Sequence, residues 1–332
     1  MLYTVSNATL RQLGELEVPI DWCIGVKETY TVVAVMPWIV YRFFQGRYRF
    51  VSKRLILCIV VGAVVCEIIG AQNQLWAYAT VGLIIASPAV SSSQLIGSAV
   101  IGLYALGDRI TRGKYIAIFL LLIAIILLSV AKIAPTGQGQ SIVANRTFIY
   151  GTLAAVIAGL SYSFHVIMIR YAMQKYWNCD YGPWFTIKVH DWIGHDFVLH
   201  HQIPSSTPEA AAERRYSPFP ITLVMVIVTG VGALYYNASV LCTRGVAGFV
   251  DVPMECWFWI TLSGVANTVG FFFQIQGLLL ASAAKVSLIS TTQIVLLTII
   301  GIIFFKEPIS FTILLGILFA ICGVFYSSKE SQ

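Results

Sequence analysis

Val90-Ser91-Ser92-Ser93-Gln94-Leu95 is answered, some two hundred residues later, by Ile289-Ser290-Thr291-Thr292-Gln293-Ile294. Each stretch runs on to an Ile-Gly pair (Ile101-Gly102, Ile300-Gly301). An acid, Asp108 or Glu307, follows 14 residues after each glutamine. Upstream the match continues, with Glu67, Gly70 and Gln74 standing opposite Asn267, Gly270 and Gln274 at an offset of 200, against 199 downstream. Self-similarity of this kind marks a duplicated structural unit. In a membrane protein built from two copies of a helical unit, the working site lies between the copies.

Composition says that this is such a protein. The 332 residues are 58% hydrophobic and only 11% charged, with a mean hydropathy of +0.81, whereas soluble domains are roughly a quarter charged. Apolar runs at 115–130, 148–169 and 288–305 have the length of bilayer spans. A large soluble core would need polar outer faces, and Ile116–Val130 has almost none. The first 25 residues do not read as a secretory signal, because Arg11, Glu15 and Glu17 break their apolar stretch. The seven cysteines show no Cys-x-x-Cys spacing, so neither a metal site nor a disulfide framework is implied. The net charge of +6 gathers at the ends of apolar segments, where membrane topology accounts for it without nucleic acid.

The pattern predicts an all-α polytopic membrane protein with about nine transmembrane helices, at 29–45, 55–80, 83–105, 115–131, 148–173, 220–241, 256–280, 282–304 and 309–327. Basic clusters fall at Arg47, Arg49, Lys53 and Arg54, at Arg109, Arg112 and Lys114, and at Lys175, Lys188, Arg214 and Arg215. Alternation along nine spans puts all three, and the C-terminus, on the cytoplasmic side of a plasma (inner) membrane. Residues 1–28 read as a polar N-terminal segment and 29–131 as a first repeat of four helices. Residues 148–328 read as a second repeat of five, with a polar cytoplasmic insert at 174–219. The first repeat is therefore expected to lack the counterpart of Phe148–Met173, residues 1–25 being too polar to supply it. The insert carries His190, His195, His200 and His201. Steps of five spread the first three over different faces, which favours a solvated loop over a metal site.

Polar side chains are costly inside a bilayer, so their placement is informative. Glu67, Gly70, Gln74 and Tyr78 share one helical face, as do Ser87, Ser91, Gln94 and Ser98. Asn267, Phe271 and Gln274 share another, and Ser282, Ser290 and Gln293 occupy one broad sector. Facing lipid, the amides would go unsatisfied at several kcal/mol each, so a shared cavity is expected. For Ser91, Ser92, Ser290 and Thr291, helix packing is the better explanation. The candidate substrate-binding residues are Glu67, Gln74, Gln94, Asn267, Gln274, Gln293 and Lys285. Glu67, deep in an apolar helix with no lysine or arginine within a turn, is the candidate proton-coupling carboxylate. Lys285 either answers a substrate carboxylate or Glu67 itself, or snorkels to the helix end. His165, Tyr162, Tyr235, Tyr236 and Asn237 are weaker cavity candidates, while Asp108 and Glu307 read as caps or ion pairs. No His-Glu-x-x-His, Gly-x-Ser-x-Gly or phosphate-cradling glycine loop occurs, so neither an enzyme nor a cofactor is expected.

Ala281-Ser282-Ala283-Ala284-Lys285 through Lys306-Glu307-Pro308, followed by the helix bearing Gly316 and Gly323, resembles the C-terminal signature of the drug/metabolite transporter superfamily in its EamA-type branch. Ala86-Ser87-Pro88 through Gly107-Asp108-Arg109 resembles the equivalent place in the first half. The likeness covers 29–131 and 148–328. It implies two inverted repeats of a five-helix unit, a central cavity and alternating access, hence a secondary-active transporter of small organic metabolites. Amides and aromatics with a single lysine suit neutral or zwitterionic solutes better than phosphates, which recruit paired basic groups. The alternatives are proton-driven export of cationic compounds and a non-transporting membrane protein acting through the 174–219 loop.

Overall fold

In the computed structural model, residues 2–44, 53–106, 112–130, 142–178, 219–280, 283–307 and 310–329 are described, and their regular elements are all helical. Helix α1 (Leu2–Glu15) ends in a Schellman-type closure, with Val18 N donating to Leu13 O and Glu17 N to Gly14 O, both at 3.2 Å. Glu17 takes the left-handed φ of 56° that such a closure needs. Helix α2 (Ile20–Phe44) follows at once. Helix α3 (Lys53–Val64) passes through a π-helical turn (Val65–Ala71) into α4 (Gln72–Val81), and the three form one continuous apolar segment. Gly82, at φ 79°, turns the chain directly into α5 (Leu83–Leu106). Then come α6 (Arg112–Val130), α7 (Ile142–Asn178), α8 (Phe219–Arg244), the single turn α9 (Ala247–Val250), α10 (Met254–Leu280), α11 (Ala283–Ile303) and α12 (Phe311–Lys329).

Among the described residues, six segments are long and apolar enough to cross a membrane: Ile20–Tyr41, Ile56–Val81, Leu83–Ala105, Thr147–Ala172, Ile221–Arg244 and Met254–Leu278. Tyr115–Leu128, Gln293–Ile303 and Phe311–Gly323 are shorter apolar stretches among the described residues. Phe119, Ile126, Phe258 and Phe325 are exposed on the outside, the apolar exterior that hydrocarbon surroundings require.

Two boundaries differ from the sequence expectation. The first span starts at Ile20, not 29, because Lys27 and Glu28 neutralise each other inside the protein and do not mark a water-facing end. The polar N-terminal residues form a packed helix, α1. Its Thr4, Ser6, Asn7 and Thr9 are buried. Ser6 Oγ meets Ser263 Oγ of α10 at 3.0 Å, and Thr9 Oγ1 donates to the Ser6 carbonyl at 2.8 Å. Leu10 and Leu13 join Trp22, Ile24 and Ile260 in one apolar cluster.

The most extensive helix packing joins elements before residue 131 to elements after 141: α5 with α7 and α11, α2 with α8 and α10, α6 with α12, α1 with α10, and α4 with α7. Small residues make the close approaches, as expected where lipid offers no hydrophobic drive between helices. Across α5 and α7, Gly97 faces Ser163 and Gly159 faces Ser93, and Ser163 Oγ donates to Gln94 O at 2.7 Å. Two apolar clusters, one around Ile59, Val166, Met225 and Ile275 and one around Ala77, Ile84, Ala155 and Leu297, hold the two parts together.

Candidate functional site

Between the two parts lies a cavity of about 120 Å³. Its wall contains Glu67, Gln74, Gln94, Asn267, Gln274 and Gln293. Six residues singled out on four separate spans are therefore brought to one place. The seventh, Lys285, has its side chain outside the described residues, as do Asp108 and the histidines at 190–201. Among the described residues no group of three or more histidine, cysteine or acidic side chains is arranged to hold a metal ion.

Glu67 enters the cavity from the π-helical turn. A π-turn adds a residue to the helical circuit and commonly occurs at functional sites. Here the Tyr236 hydroxyl of α8 donates to Glu67 O at 2.7 Å, anchoring the turn to its neighbour. The carboxyl itself is only 5% exposed as part of its residue. Cys66 Sγ donates weakly to Oε1 at 3.7 Å, and Oε2 has no hydrogen-bond partner among the described residues. Space for the carboxyl comes from Gly232, where a Cβ would stand 2.8 Å from Glu67 Oε2 and 3.1 Å from Glu28 Cγ.

Lys27 and Glu28 line the same cavity, and sequence reasoning missed both. Lys27 Nζ lies 2.8 Å from Glu28 Oε1, with both side chains nearly inaccessible. A lysine–glutamate doublet beside an apolar run looks like a span end. Its pairing, visible only in the fold, lets it sit inside one.

The amides are not equivalent. Gln74 is used at both ends: the Tyr162 hydroxyl donates to Oε1, and Nε2 donates to the Tyr78 hydroxyl at 2.6 Å. Gln274 is used at one end, where the Tyr3 hydroxyl donates to Oε1 at 2.6 Å. Tyr3 and Asn7, both on α1, are further wall residues that the sequence did not single out. Tyr162 and His165, the weaker candidates on α7, line the cavity too, and the His165 ring lies near Phe271 with centroids 6.3 Å apart. Tyr235 is exposed. Asn237 spends its amide on Thr29 Oγ1 at 2.8 Å, a packing role. Glu307 lies outside the cavity wall and caps a helix.

The arrangement offers hydrogen-bond donors and acceptors at fixed places, ring faces from Tyr3, Tyr162 and Phe271, and one unpaired carboxyl oxygen.

Comparison with known proteins agrees with the membrane architecture. Residues 36–207 match the model of a family described as purine nucleobase transmembrane transport, and residues 210–329 match the EamA-like transporter family. A crystal structure of another protein aligns over 99% of this chain and 94% of its own, with a TM-score of 0.59 at 12% identity, a likeness of fold alone. A search of curated protein sequences finds no match.

Proposed function

Because the chain belongs to the purine nucleobase transmembrane transport family, with an EamA-like second half, we propose that it carries purine nucleobases across the membrane by alternating access around this cavity. The observation that carries the proposal is the wall itself. Amides from both parts of the chain and aromatic rings surround a space of about 120 Å³. Asparagine and glutamine amides pair in bidentate fashion with the donor–acceptor edge of adenine, and proteins that hold a free base stack it between aromatic or apolar side chains. Lys27 is paired to Glu28, so a phosphate would find no unpaired cation among the described wall residues.

The twin motifs, and packing that runs mainly between the two parts, support two inverted repeats that rock about the cavity. Glu67, at the centre of its span and with Oε2 unpaired, is the proton-coupling group of this proposal. The basic clusters support a plasma-membrane protein with its C-terminus on the cytoplasmic side.

Purified protein in liposomes is expected to take up labelled adenine saturably, with hypoxanthine and guanine competing and adenosine monophosphate failing to compete. Proton-driven export of cationic amphiphiles is the competing function, favoured only by the unpaired Glu67 oxygen. Uptake that ignores purines but is blocked by hydrophobic cations would establish it and end the nucleobase proposal.

A further inference from the structure

We propose that α1 supplies the specificity residues of the site, Asn7 contacting the bound base directly and Tyr3 positioning Gln274 to do so. This rests on the nucleobase function proposed above. Tyr3 and Asn7 are one helical turn apart and thus share a face of α1, and both line the cavity. The helix is fixed there by the Ser6–Ser263 contact and by Tyr3, whose ring lies against the open side of Gly270 on α10. Asn7 is 8% exposed, and its amide makes no hydrogen bond to another described residue. An amide that faces a cavity and has no protein partner is open to a ligand, or to water in its place.

The two tyrosine–glutamine pairs of the cavity differ in one partner. Tyr162 of α7 holds Gln74 as Tyr3 of α1 holds Gln274, and the two glutamines correspond at the offset of 200. The first pair is closed, because Tyr78 takes the remaining amide nitrogen. The residue corresponding to Tyr78 is Leu278, which has no acceptor to offer. Gln274 Nε2 is therefore left open, its orientation set by the tyrosine that holds the oxygen. Gln74 is a strut, while Gln274 and Asn7 read the ligand. Together they present one donor and one full amide to a base edge that carries neighbouring donor and acceptor atoms.

The test measures competition by adenine, hypoxanthine and guanine for purified wild type and for Asn7→Asp. Aspartate offers only acceptors, so the variant should lose adenine by about tenfold relative to guanine, whose adjacent N–H donors suit a carboxylate. Equal change for all three bases, or none, overturns the direct contact. Tyr3→Phe, which keeps the ring, guards against misfolding of the first variant. It should raise the half-saturation constant about tenfold and leave the maximal rate within about twofold, and an unchanged half-saturation constant overturns the positioning role. Wild-type protein that binds no base overturns the nucleobase function and this proposal with it. Normal binding with wild-type base order in Asn7→Asp overturns this proposal alone.

Discussion

Glu307 closes the start of α5 through Leu83. Its Oε1 accepts from Leu83 N at 2.8 Å, while Oε2 accepts from Ile84 N at 2.9 Å. The first amides of a helix have no partner within it, and they carry the positive end of the helix dipole. A carboxylate that follows α11 thus caps a helix more than two hundred residues earlier and fastens the two parts of the chain together. Arg11 Nε, 3.7 Å from Oε1, adds α1 to the same junction.

Glu307→Ala should therefore lower thermal stability by about 1–2 kcal/mol, the usual cost of losing a cap, with Glu307→Gln losing less. Gly82→Ala should cost at least as much, because it keeps the acid but crowds its carboxylate out of the cap. Gly82 has a φ of 79°, and an added Cβ would stand 2.7 Å from the Glu307 carboxyl carbon. Melting curves of the three variants in detergent decide this, and a wild-type melting temperature for Glu307→Ala would remove the cap from the account of the fold.

The Lys27–Glu28 pair makes a sharper thermodynamic prediction. Removing one member of a buried ion pair strands the other charge, at a cost of about 3–5 kcal/mol, whereas removing both is close to neutral. Lys27→Met and Glu28→Gln should each destabilise strongly, and the double variant should recover most of the loss. If the double variant is as unstable as the sum of the two singles, the charges act independently and the pairing is not what allows them inside the span.

How much of this was legible in the chain follows from what periodicity reports. It shows which helical face avoids lipid, and the duplication shows which faces meet. Hence Glu67, the four glutamines and Asn267 could be assembled without coordinates. Lys27 and Glu28 were invisible to it, because their neutrality comes from each other and from burial against α8. Tyr3 and Asn7 were hidden differently. Helix α1 is amphipathic and mixes Thr4, Ser6 and Thr9 with Leu10 and Leu13, so its mean hydropathy resembles a surface segment. The spacing of Tyr3, Ser6, Asn7, Leu10 and Leu13 at steps of three and four was the available signal. The difference between Gln74 and Gln274 needed the fold, although the contrast of Tyr78 with Leu278 lay in plain sight.

Glu67→Gln separates coupling from binding. The substitution keeps the shape of the side chain and removes its exchangeable charge. Accumulation of base driven by a pH gradient should disappear, while exchange of labelled for unlabelled base at equal pH should persist. Gradient-driven accumulation at the wild-type level would remove Glu67 from the coupling step.

Cys66 provides a reporter that requires no engineering. It is buried, lines the cavity and lies next to Glu67, whereas Cys242 and Cys322 are exposed on the outer surface. A small thiol reagent can reach Cys66 only through the cavity, and a bound base would stand in its way. Modification of Cys66, followed by peptide mass spectrometry, should slow about tenfold at a base concentration near ten times Kd, since protection scales as one plus ligand over Kd. Modification of Cys242 and Cys322 in the same sample should keep its rate, which excludes general stabilisation as the cause. Should all three thiols respond alike, or Cys66 react at one rate with and without base, then the base does not bind in this cavity.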